Sequence, residues 1–176
     1  PLSVGSEGDD VVGLLRQLAA LRYHVPAAGR VYTVSVRDAV YAFQKANGLE
    51  RTGSVGIREW RRLAVAATPK PRFRGPSDRI EVDKTRQILL KIRDGEVIGV
   101  VAVSTGATGN TPEGRHRIRW KAPATSTWLG SAILYRTLTF VGDSFAIHGF
   151  ASVPPYPASH GCVRVRNPEH FAKVIL

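Results

Sequence analysis

Between Ala67 and Ser77 the chain reads Thr68-Pro69-Lys70-Pro71-Arg72-Phe73-Arg74-Gly75-Pro76. A proline fixes its own φ and has no N–H to donate, so no regular helix runs through Pro69, Pro71 and Pro76. The stretch favours an extended, semi-rigid spacer. It also separates two hydrophobic periodicities. Before it, apolar residues recur at steps of three and four; after it, they alternate or fall in β-branched runs. The expected architecture is α+β in two domains: a small three-helix domain over 1–66, a linker over 67–77 crossed by few contacts, and a mainly β domain over 78–176.

In the first segment, Asp9 or Asp10 is placed to cap a helix whose Val11, Leu14, Leu15, Leu18 and Leu21 share one face. Pro26 ends that stretch. Ser35-Val36-Arg37-Asp38 reads as a capping box opening a second helix, with Val36, Ala39, Val40 and Phe43 on its buried side and a stop at Asn47-Gly48. A third short helix carries Ile57, Trp60 and Leu63. After the linker, Ile80-Glu81-Val82, Gln87 to Ile92 and Val97 to Val103 read as strands, the last two joined by an Asp94-Gly95 hairpin turn. Further strands are expected at His116 to Trp120, Ile133 to Val141 and Ser144 to His148. Asn167-Pro168-Glu169 is expected to open a final helix carrying Phe171, Val174 and Ile175. Trp120, Trp128, Tyr135 and Phe140 read as core aromatics.

Lys and Arg total 25 against 14 Asp and Glu, a net charge of +11. Such a surface attracts polyanions. The basic residues are dispersed and match no nucleic-acid-binding motif, so another anionic polymer or an acidic peptide suits the charge better than nucleic acid. No apolar run approaches the roughly 20 residues needed to span a bilayer. The chain begins at Pro1 and lacks Met, so it reads as a mature or trimmed piece, expected to act as a monomer.

The chain has one cysteine, in Ser159-His160-Gly161-Cys162-Val163-Arg164, and a second His-Gly pair upstream in Phe145-Ala146-Ile147-His148-Gly149. A free thiol titrates at about pH 8.5, so it needs a neighbouring base to become a nucleophile at neutral pH. His148 and His160 are both candidates for that base. Gly161 lets a substrate approach the backbone closely, and successive N–H groups at the Gly161-Cys162 turn could bind an oxyanion. Zinc is a weaker reading, because a structural site takes about four ligands and a single cysteine supplies few. No metal or organic cofactor is expected. By itself, a lone cysteine is more often a small buried hydrophobe.

The His-Gly pair followed by Ser-His-Gly-Cys-Val-Arg resembles the signature of the L,D-transpeptidases of bacterial cell walls. A second family-like block is Ser104-Thr105-Gly106 with Thr111-Pro112-Glu113-Gly114, which reads as a turn with no catalytic role assigned. Together the blocks cover most of the chain from residue 78 onward. The loop between the two signature parts, Val153-Pro154-Pro155-Tyr156-Pro157, is shorter than in many members. Residues 1–66 resemble the three-helix peptidoglycan-binding domain, through Gly5 to Val11, Leu14 with Leu18, Ala39-Val40 with Phe43-Gln44, Gly48-Leu49, Thr52-Gly53 and Trp60 with Leu63.

The resemblance implies that Cys162 is the nucleophile, His148 the base and the backbone of Gly149 the group that orients it, while His160 and Gly161 support the loop or the oxyanion site. Arg164 is placed to stabilise a thiolate, hold a substrate carboxylate or make a structural salt bridge, Ser159 reads as a hydrogen-bonding support, and Ser159 and Tyr156 are the other candidates for substrate contact. The implied partner is peptidoglycan, both glycan and stem peptide, and carbapenems are the implied inhibitors. The implied setting is extracytoplasmic, secreted or wall-associated. The alternatives are an L,D-carboxypeptidase that uses water as acceptor, and a non-catalytic wall-binding protein.

Overall fold

The computed structural model describes residues 1–26, 29–121, 126–127 and 133–166. The chain divides into two compact units, Pro1–Ala102 and Val103–Leu176. The first holds three helices, α1 (Asp9–Ala20), α2 (Val34–Ala46) and α3 (Ile57–Leu63). It also holds β1 (Arg79–Asp83), β2 (Ile88–Arg93) and all but the last two residues of β3 (Glu96–Ser104).

The helices form where the periodicity places them, with different caps. The residue before α1 is Gly8, which has no side chain to cap with; Asp9 and Asp10 fall in the first turn, where a carboxylate complements the helix dipole. The α2 cap is Thr33, two residues earlier than Ser35: its hydroxyl accepts the Val36 N–H at 3.4 Å. Val11, Leu14, Leu18, Val36, Val40 and Phe43 are buried together, and Tyr23 meets Phe43 edge-on at 5.7 Å between ring centres. Ile57 opens α3 as expected, with 66% of its surface exposed.

That core does not stop at the proline-rich stretch. Ile88, Leu90, Ile92, Val97 and Val100 belong to the same buried cluster as the helices. The chain leaving α1 also lies along β3, with His24 N–H donating to Val100 O at 3.0 Å and Val100 N–H to Arg22 O at 2.8 Å. Ile88, Leu89 and Leu90 are successive and all buried, so both faces of β2 are covered there. The linker is tied down as well. Arg72 gives its N–H to Glu81 at 2.6 Å and its guanidinium to Asp83 at 2.9 Å. Burial alone would raise the Asp83 carboxyl, but the Arg86 N–H and the Arg72 and Arg86 guanidiniums hold it down at about 2.

In the second unit, Val103 and Ser104 pair antiparallel with Val165 and Arg164 of β8 (Val163–Arg166). β8 runs parallel to β7 (Phe145–Phe150), and β7 pairs antiparallel with β6 (Ile133–Val141). Two short strands, β4 (Trp120–Lys121) and β5 (Ser126–Thr127), pair with β6. Of the strand expected over His116 to Trp120, only its last residue is in β4. Trp120 is 55% exposed, and Tyr135 and Phe140 are half-buried, so none of these three is a fully buried core aromatic. Trp128 and the helix expected from Asn167 lie outside the described residues.

A fragment of residues 67–176 loses the helical half of the core that covers Leu90, Ile92, Val97 and Val100. Leu-to-Ala changes at such sites cost about 2–5 kcal/mol each, so uncovering the whole face should abolish cooperative folding of the hairpin. The expected result is a fragment whose thermal unfolding loses its main transition, measured by circular dichroism beside the 176-residue chain.

Candidate active site

β7 and β8 set the site through their register. Ile147 lies opposite Val163 and His148 opposite Arg164. Partners in a parallel pair point to the same face, and successive residues alternate. Val163 and Val165 are buried on one face. The other face carries His148, Phe150 and Arg164. The His148 ring meets Phe150 edge-on at 5.8 Å, and the Arg164 guanidinium lies 4.5 Å from the centre of the same phenyl ring. Cys162 ends the loop that leads directly into β8.

The Cys162 thiol is buried, with 8% of the residue exposed. Its Sγ donates to Ser144 O at 3.8 Å and receives a hydrogen bond from the Ala146 backbone at the start of β7. His148 Nδ1 is 3.0 Å from Gly149 O. A carbonyl only accepts, so Nδ1 carries the proton and Nε2 keeps its lone pair as a base.

Electrostatics favour a neutral resting pair. Burial pushes the Cys162 thiol up, partly offset by the Ala146 hydrogen bond and the Arg164 charge. Burial pulls His148 down, Gly149 O opposes this, and Arg164 pulls it down further. Burial also lowers Arg164, while Cys162 favours its charged form. Among the described residues, Arg164 is thus a charge felt by both thiol and imidazole.

The cysteine loop is built on the first family-like block. Ser159 N–H and Ala158 N–H both donate to Thr105 O at 3.0 Å, and Ala107 N–H donates to Ser159 O at 2.8 Å. Ser104 Oγ donates to Tyr156 O at 2.8 Å, tying down the proline-rich loop. Ser159 is buried; its hydroxyl donates to Cys162 O at 2.5 Å and accepts Gly161 N–H at 3.0 Å. That hydroxyl is committed to the loop, which removes it from direct substrate contact. Gly161 has φ +138°, and an added Cβ would come within 2.6 Å of Phe145, so only glycine fits. His160 and Tyr156 are exposed.

The Ser104-Thr105-Gly106 block and the Thr111 turn, to which the sequence assigns no catalytic role, both support the cysteine loop. The signal was there: a buried threonine beside a glycine-rich turn must place its hydroxyl somewhere. No group of three or more His, Cys, Asp or Glu side chains that could hold a metal occurs among the described residues. No helix among them is long and apolar enough to cross a membrane.

Replacing Arg164 by Gln should move both titrations upward. The thiolate loses a stabilising charge, so the Cys162 pKa rises; the imidazolium loses a repelling one, so the His148 pKa rises too. The pH dependence of Cys162 alkylation and the His148 ring resonances by NMR report the two shifts separately.

Residues 77–175 match the model of the L,D-transpeptidase catalytic domain, and residues 7–63 match that of a peptidoglycan binding domain. The crystal structure of an L,D-transpeptidase from Xylanimonas cellulosilytica is 34% identical, with a TM-score of 0.89, over 97% of this chain and 88% of that one. An L,D-transpeptidase from Stackebrandtia nassauensis, 24% identical over 99% of this chain and 90% of that one, shares the fold at a TM-score of 0.54. No curated protein matches the chain. The catalytic-domain match and the 34% identical structure show that this chain belongs to the L,D-transpeptidase family, with a domain of the peptidoglycan-binding type ahead of the catalytic one.

Proposed function

We propose that the protein is a cysteine-dependent L,D-transpeptidase that remodels or cross-links peptidoglycan stem peptides through a Cys162 thioester. The observation that carries this reading is the His148 tautomer. Nδ1 is occupied by Gly149 O at 3.0 Å, which leaves Nε2 as a base on the strand face it shares with Arg164. A neutral imidazole whose Nε2 keeps its lone pair is competent to act as general base toward a neutral thiol when substrate arrives.

In the first step the Cys162 proton passes to His148 Nε2 and the sulfur attacks the carbonyl of the L-to-D peptide bond. A sulfur–carbon bond forms, and the carbonyl electrons move onto oxygen. When the intermediate collapses, the carbon–nitrogen bond breaks and the terminal D-alanine leaves with the proton from His148. In the second step the side-chain amine of another stem attacks the thioester. His148 takes the amine proton and returns it to the sulfur as the thiol leaves. Water in place of the amine gives the carboxypeptidase reaction.

Arg164 favours the thiolate during this cycle, and its guanidinium suits a stem carboxylate. Exposed Tyr156 offers an apolar face beside the loop for the stem peptide. The reading places the protein outside the cytoplasm, where its polymer is. The helical segment is proposed to retain the enzyme on the polymer. Its shallow cleft of about 320 Å³, lined by Asp10, Val55, Ile57 and Trp60, pairs a carboxylate with apolar surface, a combination suited to sugar rings.

Cys162→Ala should abolish conversion of tetrapeptide muropeptides while leaving co-sedimentation with sacculi at the wild-type level. Product analysis by mass spectrometry and the sedimented fraction read the two properties independently. Conversion at near the wild-type rate would remove Cys162 from the mechanism.

A further inference from the structure

Three successive peptide groups around Cys162 are held by side chains. The group joining His160 and Gly161 is held at both ends: Asn110 Nδ2 donates to His160 O at 2.8 Å, and Gly161 N–H donates to Ser159 Oγ at 3.0 Å. The group joining Cys162 and Val163 is held at its carbonyl by the Ser159 hydroxyl at 2.5 Å. The middle group, joining Gly161 and Cys162, is held by Thr111. Its Oγ1 donates to Gly161 O at 2.7 Å and accepts Gly106 N–H at 2.8 Å. Thr111 is 4% exposed, and its hydroxyl contacts lie in buried surroundings.

The consequence follows from peptide geometry. There is no cis peptide bond among the described residues. In a trans peptide the carbonyl and the next N–H point in opposite directions across a plane that resists twisting. By drawing Gly161 O toward the Gly106 turn, Thr111 turns the Cys162 N–H to the opposite side. Of the two successive amides at this turn, Gly161 N–H is already given to Ser159, so Cys162 N–H is the one available to a developing oxyanion. The backbones are close enough to transmit the constraint: a Cβ on Gly106 would collide with the Asn110 side chain and stand 3.1 Å from Gly161 Cα.

We propose that Thr111 is a positioning residue for acyl transfer: it aims the Cys162 N–H at the oxyanion formed when the Cys162 sulfur attacks a carbonyl. This inference rests on Cys162 being the nucleophile. During attack the sulfur–carbon bond forms, the carbonyl electron pair moves to oxygen, and that oxygen takes the Cys162 N–H hydrogen bond. Collapse restores the double bond and expels the amine with the proton held by His148. The donor remains in a Thr111 variant but is no longer aimed. The loss should therefore stay below the roughly 100- to 1,000-fold seen when an oxyanion donor is removed outright.

The test compares two reactions of the same thiol in wild type, Thr111→Val and Thr111→Ser. Acylation by imipenem passes through an oxyanion; alkylation by iodoacetamide does not. Thr111→Val should slow imipenem acylation by about 10- to 100-fold. It should leave the alkylation rate and its pH profile close to wild type, with the melting temperature lowered but the protein folded at the assay temperature. Thr111→Ser keeps the hydroxyl and should restore acylation to within a few-fold of wild type.

Acylation of Thr111→Val at the wild-type rate would overturn the inference. So would equal slowing of acylation and alkylation, which would mean that Thr111 only supports the loop. Failure of Thr111→Ser to restore acylation while it remains folded would also overturn it. Failure of wild-type Cys162 to acylate at all would instead remove the transpeptidase reading on which the inference rests.

Discussion

The site depends on the parallel pairing of β7 with β8. That pairing places His148 opposite Arg164 and brings Cys162, the residue before β8, level with the start of β7. Parallel neighbours cannot be joined by a tight hairpin, so a loop must carry the chain back from Phe150 to Val163. The family signature is the chemical trace of that geometry: a His-Gly pair near the end of one strand, a return loop, and a Gly-Cys turn just before the next. The loop itself has little hydrogen-bonded regularity. It is held instead by Thr105 O, by the Ser159 hydroxyl and by the carbonyl contact between Tyr156 and Ser104.

Arg164 gives this arrangement its electrostatic character. In the resting protein, burial favours the neutral form of both the thiol and the imidazole, so the thiol is held in its less reactive form. One positive charge then acts on both partners. It favours the thiolate and disfavours the imidazolium, so it does not simply stabilise a thiolate–imidazolium pair. A neutral pair suits an enzyme that generates thiolate when a substrate carbonyl is present, because a standing thiolate would be open to oxidation and stray electrophiles.

The helix faces and the hairpin at Asp94-Gly95 are legible in the sequence, as is the motif that holds His148 and Cys162. Each depends on local spacing or on a short motif. The features it concealed depend on contacts between distant parts of the chain. β8 is only the four residues Val163–Arg166, directly after the Gly161-Cys162 turn, too short to announce itself as a strand. Thr111 looked like an ordinary turn residue because its partner, Gly161, lies fifty positions away. The burial of Leu90, Ile92 and Val100 in one core with α1 and α2 was hidden by the prolines. A proline-rich stretch shows that secondary structure is interrupted, but Arg72 and its carboxylate partners show that packing need not be.

The central claim is that Cys162 carries the acyl group. Rapid acid quench of the protein during turnover with a disaccharide-tetrapeptide muropeptide, followed by intact-mass measurement and peptide mapping, tests it most directly. The account predicts a transient adduct equal to the donor minus its terminal D-alanine, located on the Cys162 peptide and released by hydroxylamine as a thioester is. Product formation with no such adduct under conditions where the first step is fast, or an adduct on any other residue, would contradict it.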